Sequence, residues 1–257
     1  MDDIECRLCG AAAHPAFSHS ILDKYPVRYF ICSDCGSIET EPPYWLDEAY
    51  GEDVLPEDTT YLSRNLLTAT NTNSLLDHLL VSRSATILDF GGGLGISARL
   101  LRERGRNSYS YDSYTRSPFA DVRWPEDGTK PDVVTAFEVF EHLPNPAQDL
   151  VQIFEWQPAH VYVQTWRYTG QGPDWEYFAP THGEHVFFYT DAAMEKIARR
   201  FGYSVFLPTQ MEAIFSRAPI LPLQRRALAA LFAGKPIKGR IYSRLSRLVT
   251  AISPSPG

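Results

Sequence analysis

Apolar positions along the chain fall into short runs that alternate with amphipathic stretches. Thr86, Ile87, Leu88 and Phe90 form a strand-like run that ends in the glycine cluster Gly91-Gly92-Gly93-Leu94-Gly95. A helical pattern starts at once, with Ile96, Leu100 and Leu101 on one face and Arg99, Arg102 and Glu103 off it. Upstream, Leu62, Leu66, Leu67, Leu75, Leu76, Leu79 and Leu80 predict one or two helices within 61–80. Downstream, 109–111 reads as a strand, 147–156 as a helix with Leu150, Val151 and Phe154 inward, and 160–166 as a strand. Residues 191–201 read as a helix capped by Thr190 or Asp191 and ended by Gly202, with a strand over 203–207 behind it. This alternation predicts an α/β fold, a mostly parallel sheet wrapped by helices.

A strand, a glycine turn and a helix in succession bring bare backbone N–H groups up to a nucleotide-like ligand. The dinucleotide fingerprint G-x-G-x-x-G fails, because its third glycine falls on Ile96. The pattern present is Asp89-x-Gly91-x-Gly93-x-Gly95, which resembles motif I of class I S-adenosylmethionine-dependent methyltransferases. Asp112, at the end of the next strand, is an acid placed to accept hydrogen bonds from ribose hydroxyls. The run from Asp132 through Phe137, Glu138, Glu141 and His142 to Pro144 resembles the fourth strand and following turn of that family, which closes the cofactor cleft opposite the glycine loop. The resemblance covers about half of the chain and implies a Rossmann-like methyltransferase fold that binds S-adenosylmethionine. Asp89, Gly91, Gly92, Gly93, Asp112, Ser113, Phe137 and Glu138 are then the expected cofactor residues. The pattern departs from the family after Asp112. Pro118, Pro125 and Gly128 exclude a long helix between 113 and 130, so Asp121 or Trp124 is expected to take over the adenine contact. A nucleotide-free α/β scaffold is the bland alternative.

All four cysteines lie in the first forty residues, as Cys6-x-x-Cys9-Gly10 and Cys32-x-x-Cys35-Gly36. Two such pairs supply four thiolates, the donor set of a closed structural zinc site with no position left open for catalysis. Two disulfides or a redox pair are the competing readings. The metal is expected to staple a small ribbon over 1–43, with a methyltransferase domain over 44–215 and a basic tail over 216–257. His14 and His19 are read as surface residues. The acidic, aromatic stretch 44–58 is expected to loop over part of the molecule, and Tyr61 and Arg64 to lid the cofactor or simply pack.

Between the 160–166 strand and the 191–201 helix lies an insert carrying Trp175, Glu176, Tyr177, His182, Glu184 and His185. In an open α/β sheet, ligands bind off the carboxyl ends of the strands, so acceptor chemistry is expected here. The Glu184-His185 pair resembles the catalytic segment of deoxysugar C-methyltransferases, which also carry an N-terminal Cys₄ zinc domain. That likeness implies Glu184 and His185 as the catalytic pair with the histidine as base; His185, oriented or made more basic by Glu184 or Glu176, is therefore the expected base, with His182 as the alternate. His182 and Gly183 depart from the family, which has tyrosine and histidine there. That family's further C-terminal domain also finds no room after residue 215. A similar architecture on a different sugar or sugar-like acceptor is therefore expected, as in methyltransferases of glycan biosynthesis. The alternative is that the histidines fill a turn or hold one another, and Trp166, Trp175 and Tyr177 either stack on a sugar ring or pack as a lid.

Composition narrows the partners. The formal charge is −7, with few basic residues in the ribbon, so no nucleic-acid partner is expected. An acidic start without an apolar core gives no secretory signal, and no run approaches a membrane span, so a cytoplasmic protein is expected. From Arg217 onward there are eight basic residues and no acidic one, and 240–252 has an amphipathic basic pattern fit for peripheral membrane contact or for packing on the acidic body. Nothing in the pattern sets the oligomeric state. Two further function classes stay open: a small-molecule O- or N-methyltransferase outside glycan metabolism, and a catalytically silent methyltransferase-fold binding module.

Overall fold

The structure, a computed structural model, describes residues 2–51, 60–125 and 127–233. The expected basic helix at 240–252 lies outside them. Two sheets organise the molecule.

The larger sheet is built from β5 (Thr86–Phe90), β6 (Asn107–Tyr111), β7 (Val133–Phe137), β8 (His160–Gln164), β10 (Ser204–Phe206) and β11 (Glu212–Ser216). The spatial order is β10-β11-β8-β7-β5-β6. The run β8-β7-β5-β6 is parallel, while β11 runs antiparallel to β8 and β10 antiparallel to β11. The sheet is thus mixed, which corrects the mostly parallel expectation at one edge. That edge was hidden because β11 is buried along its whole length, so Glu212-Ala-Ile-Phe-Ser shows no in–out alternation to read.

Alternate residues of each central strand feed opposite cores. Ile87, Val133, Tyr162 and Ile214 face α2 (Tyr61–His78) and α6 (Pro222–Ala233), through Leu75, Leu76, Leu228 and Phe232. Leu88, Val134, Val161, Val163 and Phe215 face α4 (Pro146–Phe154) and α5 (Asp191–Phe201), through Leu150, Phe154, Met194 and Ile197. Thr190 caps α5 by accepting from the Ala193 N–H at 3.1 Å, and Gly202 closes it at φ +77°, as the sequence predicts. The stretch 61–80 forms one helix, not two. After β6 the expected third strand shrinks to a 3-10 turn at Ala120–Val122 and a single parallel bridge between Ser110 and Arg123.

The smaller, antiparallel sheet has the order β1-β2-β3-β4-β9: β1 (Ile4–Glu5), β2 (Ala12–Ile21), β3 (Tyr25–Cys32), β4 (Ile38–Thr40) and β9 (Phe187–Phe188). Its last strand comes from the insert, through the pairs Ile38–Phe188 and Glu39–Phe187. Cys6, Cys32, Cys35 and Phe30 share one apolar cluster with Leu88, Phe140 and Met194 of the larger unit. The cysteine ribbon and the α/β unit are therefore joined through a common core. No helix among the described residues is long and apolar enough to cross a membrane.

Candidate functional site

The loops after β5 and β6 form one half of the site, and they are built from backbone. Gly91, Gly93 and Gly95 all take positive φ, and a Cβ on Gly91, Gly92 or Gly95 would come closer to a neighbouring side chain than real Cβ atoms do. A Cβ on Gly91 would stand 2.6 Å from Val139 Cγ2, and one on Gly92 would stand 2.4 Å from Ser110 Oγ and 2.7 Å from Asp89 Oδ2. Asp89 is buried and accepts from Thr135 Oγ1 at 2.8 Å. Burial raises its carboxyl to about 7, with the nearby Asp112 charge adding to the rise and the Thr135 bond opposing it. Asp112 joins the two loops: Oδ2 accepts from the Gly93 N–H at 2.9 Å, and Oδ1 from the N–H groups of Tyr114 and Thr115, each at 2.8 Å. Tyr61, in the first turn of α2, leans over this loop and accepts from the Leu94 N–H at 3.4 Å. Ser110 Oγ is buried against the glycines with no partner. A backbone cradle, two acids and an orphaned hydroxyl fit the adenosine and methionine portions of S-adenosylmethionine.

The other half is built from side chains drawn from four segments. Glu138 ends β7 at φ +53°, a conformation that strains a non-glycine residue. Its Oε2 accepts from the Tyr177 hydroxyl at 3.1 Å, and the same hydroxyl contacts Glu141 Oε1. Glu141 is fully buried, and its second oxygen has no partner. Burial, reinforced by Glu141, raises Glu138 to about 8; burial raises Glu141 as well. Two carboxyls around one phenol therefore retain a proton at neutral pH.

Beside them His185 Nδ1 lies 2.6 Å from the Tyr177 carbonyl. A carbonyl only accepts, so Nδ1 carries the proton and Nε2 of the neutral ring keeps the lone pair. Burial lowers His185, against the Tyr177 carbonyl and the charges of Glu138 and Glu184, which act to raise it; His182 adds to the lowering. His142 stands edge-on to His185 at 4.8 Å between ring centres, and burial holds it down to about 3. Its Nδ1 shares a 3.3 Å hydrogen bond with the Tyr50 hydroxyl, and Tyr50 stacks on Tyr114 at 4.6 Å, beside Asp112. Tyr50 thus bridges the two halves. Two open hollows at the amino ends of β7 and β8, lined by Asp132 and His160 among others, lie at the opposite end of the sheet from this chemistry.

The four cysteines are unpaired thiols. Their sulfurs all lie within 4.8 Å of one another, with Cys6–Cys35 at 3.8 Å and Cys9–Cys32 at 3.5 Å. Bonds of ~2.3 Å to a tetrahedral zinc give sulfur–sulfur edges of about 3.8 Å. Cys32 Sγ also accepts from the N–H groups of Asp34 and Cys35, each at 3.4 Å. The donor set fits a closed structural zinc.

Asp89, Gly91, Gly92, Gly93 and Asp112 are brought together as the sequence predicts. Ser113 is exposed at the rim, with its hydroxyl 3.5 Å from that of Tyr111. Phe137 packs edge-on against Tyr162 at 5.1 Å, away from the glycine loop. Glu138 belongs to the carboxyl pair and not to the cofactor loop. Asp121 pairs with Arg99 at 2.7 Å, and Trp124 packs on Tyr109 and Trp156. Of the insert residues, His185 and Glu184 are half-buried side by side in the site, and His182 is exposed on a turn. Sequence reasoning missed Tyr50, Thr135 and the acid-bridging role of Tyr177. Only Tyr50 left a signal, in the acidic, aromatic stretch expected to loop over something.

The profile of the methyltransferase domain family matches residues 62–206, more than half of the chain. No curated protein matches in sequence. Among solved structures, magnesium protoporphyrin IX methyltransferase from Synechocystis PCC 6803 with bound S-adenosylhomocysteine aligns at 15% identity and a TM-score of 0.45, covering 67% of this chain and 93% of that one. The methyltransferase complexed with the Haloferax volcanii Trm112 activator aligns at 16% and 0.49, covering 67% and 98%. Human N-acetylserotonin methyltransferase aligns at 12% and 0.41, covering 67% and 62%. The chain belongs to the methyltransferase domain family and is an S-adenosylmethionine-dependent methyltransferase of class I fold.

Proposed function

We propose that the enzyme methylates an oxygen or carbon of a sugar or sugar-like small molecule, with His185 as the base. The tautomer of His185 carries this reading: the bond to the Tyr177 carbonyl fixes the proton on Nδ1, and burial keeps the ring neutral. When bound, S-adenosylmethionine supplies an electrophilic methyl on a sulfonium, and the glycine loop, Asp89 and Asp112 hold it. The protein's task is then to align the acceptor and take its proton. Nε2 would take the acceptor's O–H or C–H proton, and the imidazolium so formed would lie beside the Glu138–Glu141 pair and Glu184.

Trp175 and Tyr177, with ring centres 5.2 Å apart, planes tilted by 43° and both partly exposed, offer aromatic faces of the kind that sugar rings stack on. The four cysteines hold a structural zinc in this reading. The test is transfer of labelled methyl from S-adenosylmethionine to a panel of nucleotide sugars. His185→Ala should bind the cofactor normally and turn over at under a hundredth of the wild-type rate. Turnover within a factor of two would remove His185 from the role, and transfer to non-sugar phenols or amines alone would remove the sugar.

A further inference from the structure

Arg7 occupies the turn between Cys6 and Cys9, a place where an arginine would ordinarily point to solvent. Its side chain is instead 12% exposed and all of its nitrogens are engaged. Nε donates to Glu39 Oε2 at 2.7 Å, a carboxylate with no exposure. Nη1 donates to the Pro144 carbonyl at 2.9 Å, and Nη2 to the carbonyls of Thr40 at 2.9 Å and Val186 at 2.8 Å. The Arg7 carbonyl accepts from the Ala147 N–H at 3.2 Å.

Two of those partners matter most. Pro144 is two residues beyond His142, and Val186 follows His185 directly. The two segments are tied once more by the Val186 N–H donating to the Glu141 carbonyl at 2.8 Å. The rigid, planar fork of one guanidinium therefore sets the separation of the strands of chain that carry the facing imidazoles. That fork is itself fixed by a two-residue span between two sulfurs of the cysteine cluster.

We propose that Arg7 is a positioning residue: gathering the four thiolates on a metal fixes the Cys6–Cys9 turn, and through Arg7 this sets His142 against His185. The N-terminal metal then organises the acceptor half of the site without touching the acceptor. The inference rests on His185 being the base and adds to that reading a dependence on the ribbon.

The test is nitrogen-15 NMR of the histidine rings in the zinc-loaded full chain, with S-adenosylhomocysteine binding measured alongside. Arg7→Lys keeps a charge against Glu39 but loses the fork to Pro144 and Val186; Arg7→Gln loses both. In wild type His185 should show the Nδ1–H form and titrate well below ~6.5, the ordinary histidine value. In Arg7→Lys its midpoint should rise by about half a unit or more and the two tautomers should mix, with cofactor affinity within twofold; Arg7→Gln should go further. Lys196→Met, which breaks the ribbon's other anchor at Asp34 (2.8 Å), should leave His185 unchanged. Chelation of the metal should reproduce the Arg7→Lys spectrum. A wild-type His185 titration in Arg7→Lys would overturn the proposal. So would chelation that abolishes cofactor binding together with the His185 signature, since the ribbon would then be a general staple. Failure of the base reading appears separately, as methyl transfer surviving His185→Ala while the spectra behave as stated.

Discussion

The two halves of the site are made in different ways. The cofactor half is local: Asp89 to Gly95 is one unbroken stretch, and Asp112 reaches it from the neighbouring strand with a single carboxylate. Its shape comes from backbone, and its glycines are required because side chains have no room. The other half, which we propose receives the acceptor, is assembled from Tyr50, Glu138, Glu141, His142, Tyr177 and His185, held by hydrogen bonds between distant segments. Its acids and imidazoles are shifted by burial toward their neutral forms. A ligand common to a whole class can be met by fixed backbone. An acceptor particular to one enzyme is met by side chains that change without disturbing that cradle.

The largest expected effect would break the comparison from the acceptor side. His185→Ala should lower turnover about 10²–10⁴-fold with cofactor affinity within twofold, measured by kinetics and calorimetry on the same sample. Gly92→Ala should do the reverse. Its Cβ must displace Ser110 or Asp89, so S-adenosylmethionine affinity should fall about a hundredfold, ~2.7 kcal/mol, while His185 titrates as in wild type.

The carboxyl pair gives a prediction in pH. Glu138 has a folded value of about 8, above the ~4.5 of an exposed glutamate, so its contribution to stability is full below pH ~4.5 and is lost as pH rises through 8. Glu138→Gln mimics the protonated acid. Between pH 5 and 9 the wild type should lose on the order of 2 kcal/mol more unfolding free energy than this variant, measured by urea unfolding at each pH. Equal losses would mean that Glu138 is ionised throughout. The smallest effect concerns the seam between ribbon and α/β unit. Thr190→Ala removes the α5 cap and a bond to the Cys35 carbonyl, and should cost about 1–2 kcal/mol in the same assay without changing cofactor affinity.

The same contrast explains what the sequence disclosed. The glycine loop, Asp112, the α5 cap and the cysteine pairs were legible because their partners lie within a few residues or follow a fixed spacing. The acceptor half was legible only in part. His185 stood out by residue type, yet nothing in the linear order tells that the phenol of Tyr177 would sit between Glu138 and Glu141, nor that its carbonyl would fix the His185 proton. Glu138 was placed among the cofactor residues by its position just after β7; the structure sets its carboxyl against the Tyr177 hydroxyl of the insert, a contact that the linear order does not show. The lack of a long helix between 113 and 130 was legible, because Pro118, Pro125 and Gly128 do not suit its interior, and the described residues there form a 3-10 turn at Ala120–Val122. Strand β11 escaped notice because burial on both faces erased its period.

The central claim is that cofactor binding resides in the glycine loop and Asp112, independently of the side-chain cluster. It is tested most directly by calorimetric titration of S-adenosylmethionine into the wild type, Asp112→Ala and His185→Ala. Removing the Asp112 carboxylate frees the Gly93, Tyr114 and Thr115 N–H groups, so affinity should fall at least about tenfold there, ~1.4 kcal/mol, and stay unchanged in His185→Ala. A folded wild type that binds no cofactor, or a His185→Ala variant that loses binding while Asp112→Ala keeps it, would contradict the account.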